Sequence, residues 1–152
     1  MIMNIKYIFI TILISVFAIS SFANEMTPQY NATITRDIYG VPHVHGKTDA
    51  DAAFGLAYAQ AEDDIKNILS TIDLARAQSG LKRGRDGAVA DYLIKALGIR
   101  ELVEEKYEED LSPEVRAVIE GFVAGLNYWL SLNLDKDTKE YYPVNKIDLI
   151  SS

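Results

Sequence analysis

Two histidines, His43 and His45, stand two apart in the stretch "GVPHVHG", and a strand would place both on one face. That is half of a metal site. Zinc takes three or four protein ligands, and the chain has no cysteine and no third histidine to complete a set. Both therefore read as strand residues, with His43 hydrogen-bonded near the turn. Glu62, Asp63 and Asp64 are three consecutive acids. A carboxylate pair can do acid-base work, but successive positions on a helix do not converge, so a solvated or inter-helix-bonded face is the better reading. Asp135, Asp137 and Glu140 open like a calcium loop, yet that loop requires Gly at its sixth position and an acid at its twelfth; here those positions hold Glu140 and Lys146. The basic stretch Gly80–Gly87, "GLKRGRDG", lacks the preceding strand and the Gly-Lys-Ser/Thr ending of a phosphate cradle, and reads as a solvated connection. No Gly-x-Ser-x-Gly elbow is present. The residues supply no assembled catalytic group, no cofactor site and no metal site of their own.

The elements that would position such residues come next. Residues 1–23 contain one early cation, Lys6, an apolar run from Tyr7 to Ala18, and a small-residue ending at Ser21-Phe22-Ala23. This is the pattern of a secretory signal peptide cleaved after Ala23; the apolar run is short for a membrane anchor, which needs ~20 residues. The expectation is an exported protein, periplasmic or secreted, whose folded part is residues 24–152 and which does not associate with the membrane once the signal is removed. The chain carries 15 basic against 22 acidic residues, a balance that disfavours nucleic acid and anionic lipid as partners. With no cysteine, an exported chain has no disulfides, and its stability must come from packing or from a partner chain.

Residues Asn31 to Ile38 alternate, with Ala32, Ile34, Arg36 and Ile38 on one face, and predict a strand. Tyr39-Gly40-Val41-Pro42 is a break, and Val41 to His45 resumes in extended form. Thr48 with Asp51 three residues on marks a helix start. Phe54, Ala57, Tyr58, Ala61, Ile65, Ile68, Leu69, Ile72 and Ala75 then lie on one helical face, with Gly80 as the expected stop. Gly55, among closely spaced alanines, points to a surface pressed against another backbone. A second helix is expected from about Ala88 to Glu109, with Tyr92, Leu93, Leu97 and Leu102 inward. Ser112-Pro113-Glu114 is a strong start for a third, with Val115, Val118, Ile119, Phe122, Leu126 and Trp129 or Leu130 on its apolar side. Beyond Leu132 the text is polar with an apolar remnant.

In order, Arg36-Asp37, Tyr39-Gly40, Pro42-His43, Phe54-Gly55, Tyr58, Ala61 and Asp63 resemble the opening of penicillin acylase and acyl-homoserine lactone acylase precursors. A second block, "LSPEVRAVIEGFVAGLNYWL", is similar to that family's Leu-Ser-Pro-Glu helix, matching at Leu111, Gly121, Gly125, Asn127 and Trp129. The chain departs from the family after Asp63, at Asp64-Ile65 and at "AQSGLKRGRDG", which leaves the substrate class open.

The resemblance implies an α+β fold: the N-terminal part of the α chain of an αββα N-terminal-nucleophile hydrolase, with one or two short strands followed by three helices. Such enzymes cleave acyl-amide bonds of penicillin-like or N-acyl-homoserine lactone-like substrates. A precursor cuts itself into an α chain and a β chain, and the β chain's first residue, a serine, is nucleophile and base at once. The family often binds a structural calcium ion, for which no ligand is identifiable here. Family self-cleavage falls before the serine, commonly at Gly-Ser, and none of the nine glycines precedes a serine. The expectation is a truncated α-chain segment, a scaffold for a β chain that is inactive and poorly folded alone because it exposes faces made for that partner. The competing expectation is a small exported helical binding module without catalysis, which would need its helices to bury one another completely.

Overall fold

The computed structural model describes residues 29–152; the expected signal peptide lies outside them. Strands β1 (Ala32–Arg36) and β2 (Pro42–Gly46) form an antiparallel hairpin with Ile34 opposite Val44 and Thr35 opposite His43. The first strand is shorter than its alternation predicts. Ile38 leaves the ladder for the turn and is almost wholly exposed, because Asp37 turns the chain: its carboxylate accepts the backbone N–H groups of Tyr39 and Val41, both at 2.9 Å.

Helix α1 (Asp49–Ala75) starts where expected. Thr48 Oγ1 accepts the Asp51 N–H at 3.1 Å, and the Asp51 carboxylate accepts the Thr48 N–H at 3.1 Å, so two otherwise unpaired donors are satisfied reciprocally. The hairpin lies across this helix at Gly55, where a Cβ would fall 2.6 Å from Val44 Cγ1 and 2.7 Å from Ala32 Cβ. Helix α1 is broken at Asp64, whose φ of −155° and ψ of 62° are non-helical. Asp64 then caps the second half, accepting the Asn67 N–H at 3.3 Å.

The helix ends at Ala75, earlier than the Gly80 stop predicted from sequence. Two residues on, Ala77 takes a φ of 50°. The stretch Gly80–Gly87 is not a loop. It folds as α2 (Gly80–Arg83), then Gly84, then the start of α3 (Arg85–Leu97). Asp91 on α3 fastens this corner by accepting the N–H groups of Ser79 and Gly80, each at 2.8 Å. The helix expected from Ala88 to Glu109 is divided at Gly98, whose φ of 61° stops α3 and starts α4 (Ile99–Asp110).

Helix α5 (Pro113–Leu132) begins on Ser112 and Pro113 as the sequence predicts. It packs along α1 so closely that backbones meet: a Cβ on Gly121 or Gly125 would collide with the Ala50 or Phe54 carbonyl oxygen. A short helix the sequence reading missed, α6 (Lys146–Ile150), closes the structure, capped reciprocally by Asn145 and Asp148. Ala57, Ala61, Leu69, Ile72, Leu126, Leu130, Tyr141 and Val144 form the core between α1, α5 and the closing segment.

Candidate functional site

The residues singled out for chemistry are dispersed. His43 and His45 sit on β2 and are exposed. His43 Nε2 lies 3.6 Å from Asp37 Oδ2, at the turn. Among the described residues no group of three or more His, Cys, Asp or Glu side chains is placed to hold a metal ion. Asp135 serves its own turn: its Oδ1 accepts the N–H groups of Asp137 at 2.8 Å and Thr138 at 2.9 Å. These bonds, that from Thr138 first, hold its carboxyl below the ordinary range.

The three consecutive acids have separate fates. Asp64 caps the broken helix, while Glu62 and Asp63 grip the hairpin through Arg36. Arg36 Nη2 reaches Glu62 at 3.1 Å and Asp63 at 2.8 Å, and Nη1 donates to the Gly40 carbonyl at 2.8 Å. The hydrogen bonds to Asp63 and Glu62 raise the Arg36 pKa further. The partner of this acidic face is therefore a strand residue. One guanidinium ties the turn to the point where α1 breaks, and the turn holds Ile38 and Tyr39 out in solvent.

Two polar centres escaped the sequence reading because their members are far apart in the chain. Asp148 is fully buried and receives Arg76 Nη2 at 2.7 Å and Arg100 Nη1 at 2.7 Å. Burial disfavours its ionised form, but the two guanidiniums and the Asn145 N–H outweigh that, and its carboxyl sits below the usual range. The Asn145-x-x-Asp148 spacing was the available signal. The second centre is Lys82, which bonds Asp73 at 3.3 Å and Glu140 at 2.9 Å. Asp73 also accepts the Tyr141 hydroxyl at 2.9 Å. Partial burial works against the Lys82 charge, yet the bonds to Glu140 and Asp73 raise its pKa.

One surface differs from the sequence expectation. Tyr92, Leu93 and Leu97 were expected inward, but they are 70 %, 53 % and 70 % exposed. Val89 and, on α4, Leu102 are exposed beside them in sequence. The spacing 89, 92, 93, 97 is a continuous helical stripe, so α3 carries an apolar face that nothing covers among the described residues. Apolar stripes of this kind mark contact surfaces.

This arrangement, a two-strand hairpin laid on a long broken helix with a glycine-faced helix against it, has a solved counterpart. Thermostable penicillin G acylase from Alcaligenes faecalis superposes with a TM-score of 0.66 over 80 % of this chain and 69 % of that one, at 18 % identity. The penicillin amidase family pattern matches residues 31–147, and the chain belongs to that family. It is 28 % identical over 106 residues to acyl-homoserine lactone acylase QuiP of Pseudomonas fluorescens, covering 70 % of this chain and 13 % of that protein. It is 29 % identical over 98 residues to penicillin acylase 2 proenzyme of a Pseudomonas species, covering 64 % and 12 %. Aculeacin-A acylase of Actinoplanes utahensis is 30 % identical over 112 residues, covering 66 % and 14 %. The chain thus spans only a small part of the length of the curated relatives it matches.

Proposed function

We propose that this chain is the scaffold side of an exported two-part amide hydrolase. Its substrates would be acyl amides of the kind named by its relatives, penicillins or N-acyl-homoserine lactones. The nucleophile would be the N-terminal serine of a separate β chain, activated by its own α-amine. Residues 29–152 would present the hairpin and the α3 stripe to that partner, and would not turn over substrate alone.

The observation that carries this reading is the bare stripe of Val89, Tyr92, Leu93 and Leu97 in a fold of this family. An independent binding module would have to cover that face itself. The coverage figures are in keeping with the reading: the solved acylase chain is matched over 69 % of its length and the relatives over 12–14 %. The solved chain is therefore far shorter than those sequences, as a processed piece of a precursor would be.

The test is an assay of the purified chain on phenylacetyl and fatty-acyl amides, alone and co-produced with a Ser-led chain encoded beside it. Turnover only in the co-produced sample is expected. Turnover by this chain alone contradicts the proposal.

A further inference from the structure

Between α1, α2 and the segment before α6 lies an open cleft of about 620 Å³, within the range of small-molecule sites. Its floor includes the buried Leu69 and the Tyr141 ring. Its walls carry four cations, Lys66, Lys82, Arg83 and Lys136, and three acids, Asp73, Asp137 and Glu140.

The pairing of these charges is uneven. Lys82 engages both Asp73 and Glu140, and it lies 4.2 Å over the Tyr141 ring, so it is held in one place. Asp73 is occupied twice, by Lys82 and by the Tyr141 hydroxyl. Among the described residues, Lys66, Arg83 and Lys136 make no ion pair; the Arg83 guanidinium bonds only the Ser70 hydroxyl. Among the described residues, Asp137 is the one acid of the cleft outside an ion pair. Three unpaired cations thus converge on one recess in a chain whose net charge is −7. The charges of the cleft outside ion pairs are thus three cations against one acid, and such an excess of one sign concentrates ions of the other.

We propose that this cleft binds a small organic carboxylate with an aromatic or aliphatic body. The carboxylate would meet Lys66, Arg83 and Lys136, and the body would lie against Leu69 and the methylene stem of Lys82, which itself covers the Tyr141 ring. Water-exposed cations alone would give only weak, salt-screened attraction; the apolar floor adds the selectivity for a body over a bare ion. The site stands independently of the amide-hydrolase reading, since it uses none of the hairpin or the α3 stripe.

The experiment titrates the full chain with 3-phenylpropionate by calorimetry, with 3-phenylpropanol as the uncharged analogue and inorganic phosphate as the bare anion. Saturable binding of 3-phenylpropionate is expected, with the alcohol and phosphate each about tenfold weaker or worse. The triple variant K66Q/R83Q/K136Q should weaken 3-phenylpropionate about tenfold, whereas K95Q, on α3 outside the cleft, should leave it unchanged. Circular dichroism checks helix content, and K66Q/K136Q, at two exposed positions, reads the same effect should the triple variant lose structure. Absence of saturable binding overturns the proposal. So does binding insensitive to these substitutions, or phosphate and 3-phenylpropionate binding equally well.

Discussion

Leu126 on α5 and Leu93 on α3 are the same side chain, each on an apolar helical stripe, and they end in opposite places. Leu126 is 2 % exposed, in the core against α1. Leu93 faces outward with Tyr92 and Leu97. The α1–α5 seam is closed by small residues: Ala57 and Ala61 are buried on one helix, and Gly121 and Gly125 let the other approach to backbone contact. The stripe on α3 has large side chains and, among the described residues, no facing helix. Amphipathicity says that a face is destined for burial; it does not say by which chain. Here the first stripe is buried within the structure and the second, among the described residues, is exposed.

The sharpest way to break this contrast is to spoil the seam. Gly125→Val places branched carbons where the Phe54 carbonyl lies. The helices cannot part without opening the core, so a loss of about 3 kcal/mol or more is expected, the upper end of overpacking effects. Urea unfolding of the variant measures it, and an unchanged midpoint would show that the helices are not in backbone contact.

Next comes the buried carboxylate that binds the ends of α1, α4 and α6 together. Asp148→Asn leaves Arg76 and Arg100 without their charge partner and should cost about 3 kcal/mol. The pH dependence has a definite sign. The carboxyl pKa is lowered in the folded state, so the stabilisation is fully present above the unfolded carboxylate value of about 4 and is lost as pH falls through the lower folded value. Stability measured from neutral to acid pH should therefore fall less in the asparagine variant than in the wild type. An equal fall would place the acid sensitivity elsewhere.

A smaller effect is expected at the surface clamp. Arg36→Met removes the bonds to Glu62, Asp63 and the Gly40 carbonyl. These charges are part-exposed and screened by solvent, so global stability should hardly move. Amide exchange should quicken in β1, β2 and their turn while α5 stays protected. Uniform quickening of both would mean that the hairpin and the seam open as one unit.

How far the sequence reached follows the same division. Local hydrogen-bonding chemistry was legible: Thr48 with Asp51 and Ser112 with Pro113 mark the observed starts of α1 and α5. The apolar face of α5 was right at Phe122, Leu126 and Leu130, all in or against the core. Three features failed for physical reasons. Gly80 looked like a stop, but α1 ends at Ala75 and Ala77 takes up the left-handed backbone itself. The basic run after it is helical because Asp91, eleven and twelve residues away, fixes its first N–H groups. Tyr92, Leu93, Leu97 and Leu102 had the periodicity of a core, and periodicity carries no label for the partner. The ionic centres at Asp148 and Lys82 join residues up to 72 apart, beyond any short spacing rule. The candidate site itself was legible only as a family resemblance at the hairpin and at Gly121 and Gly125.

The central claim is that, among the described residues, the α3 stripe is bare and the α5 stripe is not. Urea unfolding of Leu93→Ser/Leu97→Ser beside Leu126→Ala tests it directly. A change within about 0.5 kcal/mol is expected for the α3 double variant and a loss of about 3 kcal/mol for Leu126→Ala. Equal losses from the two would contradict it, since Leu93 and Leu97 would then be buried within the chain itself.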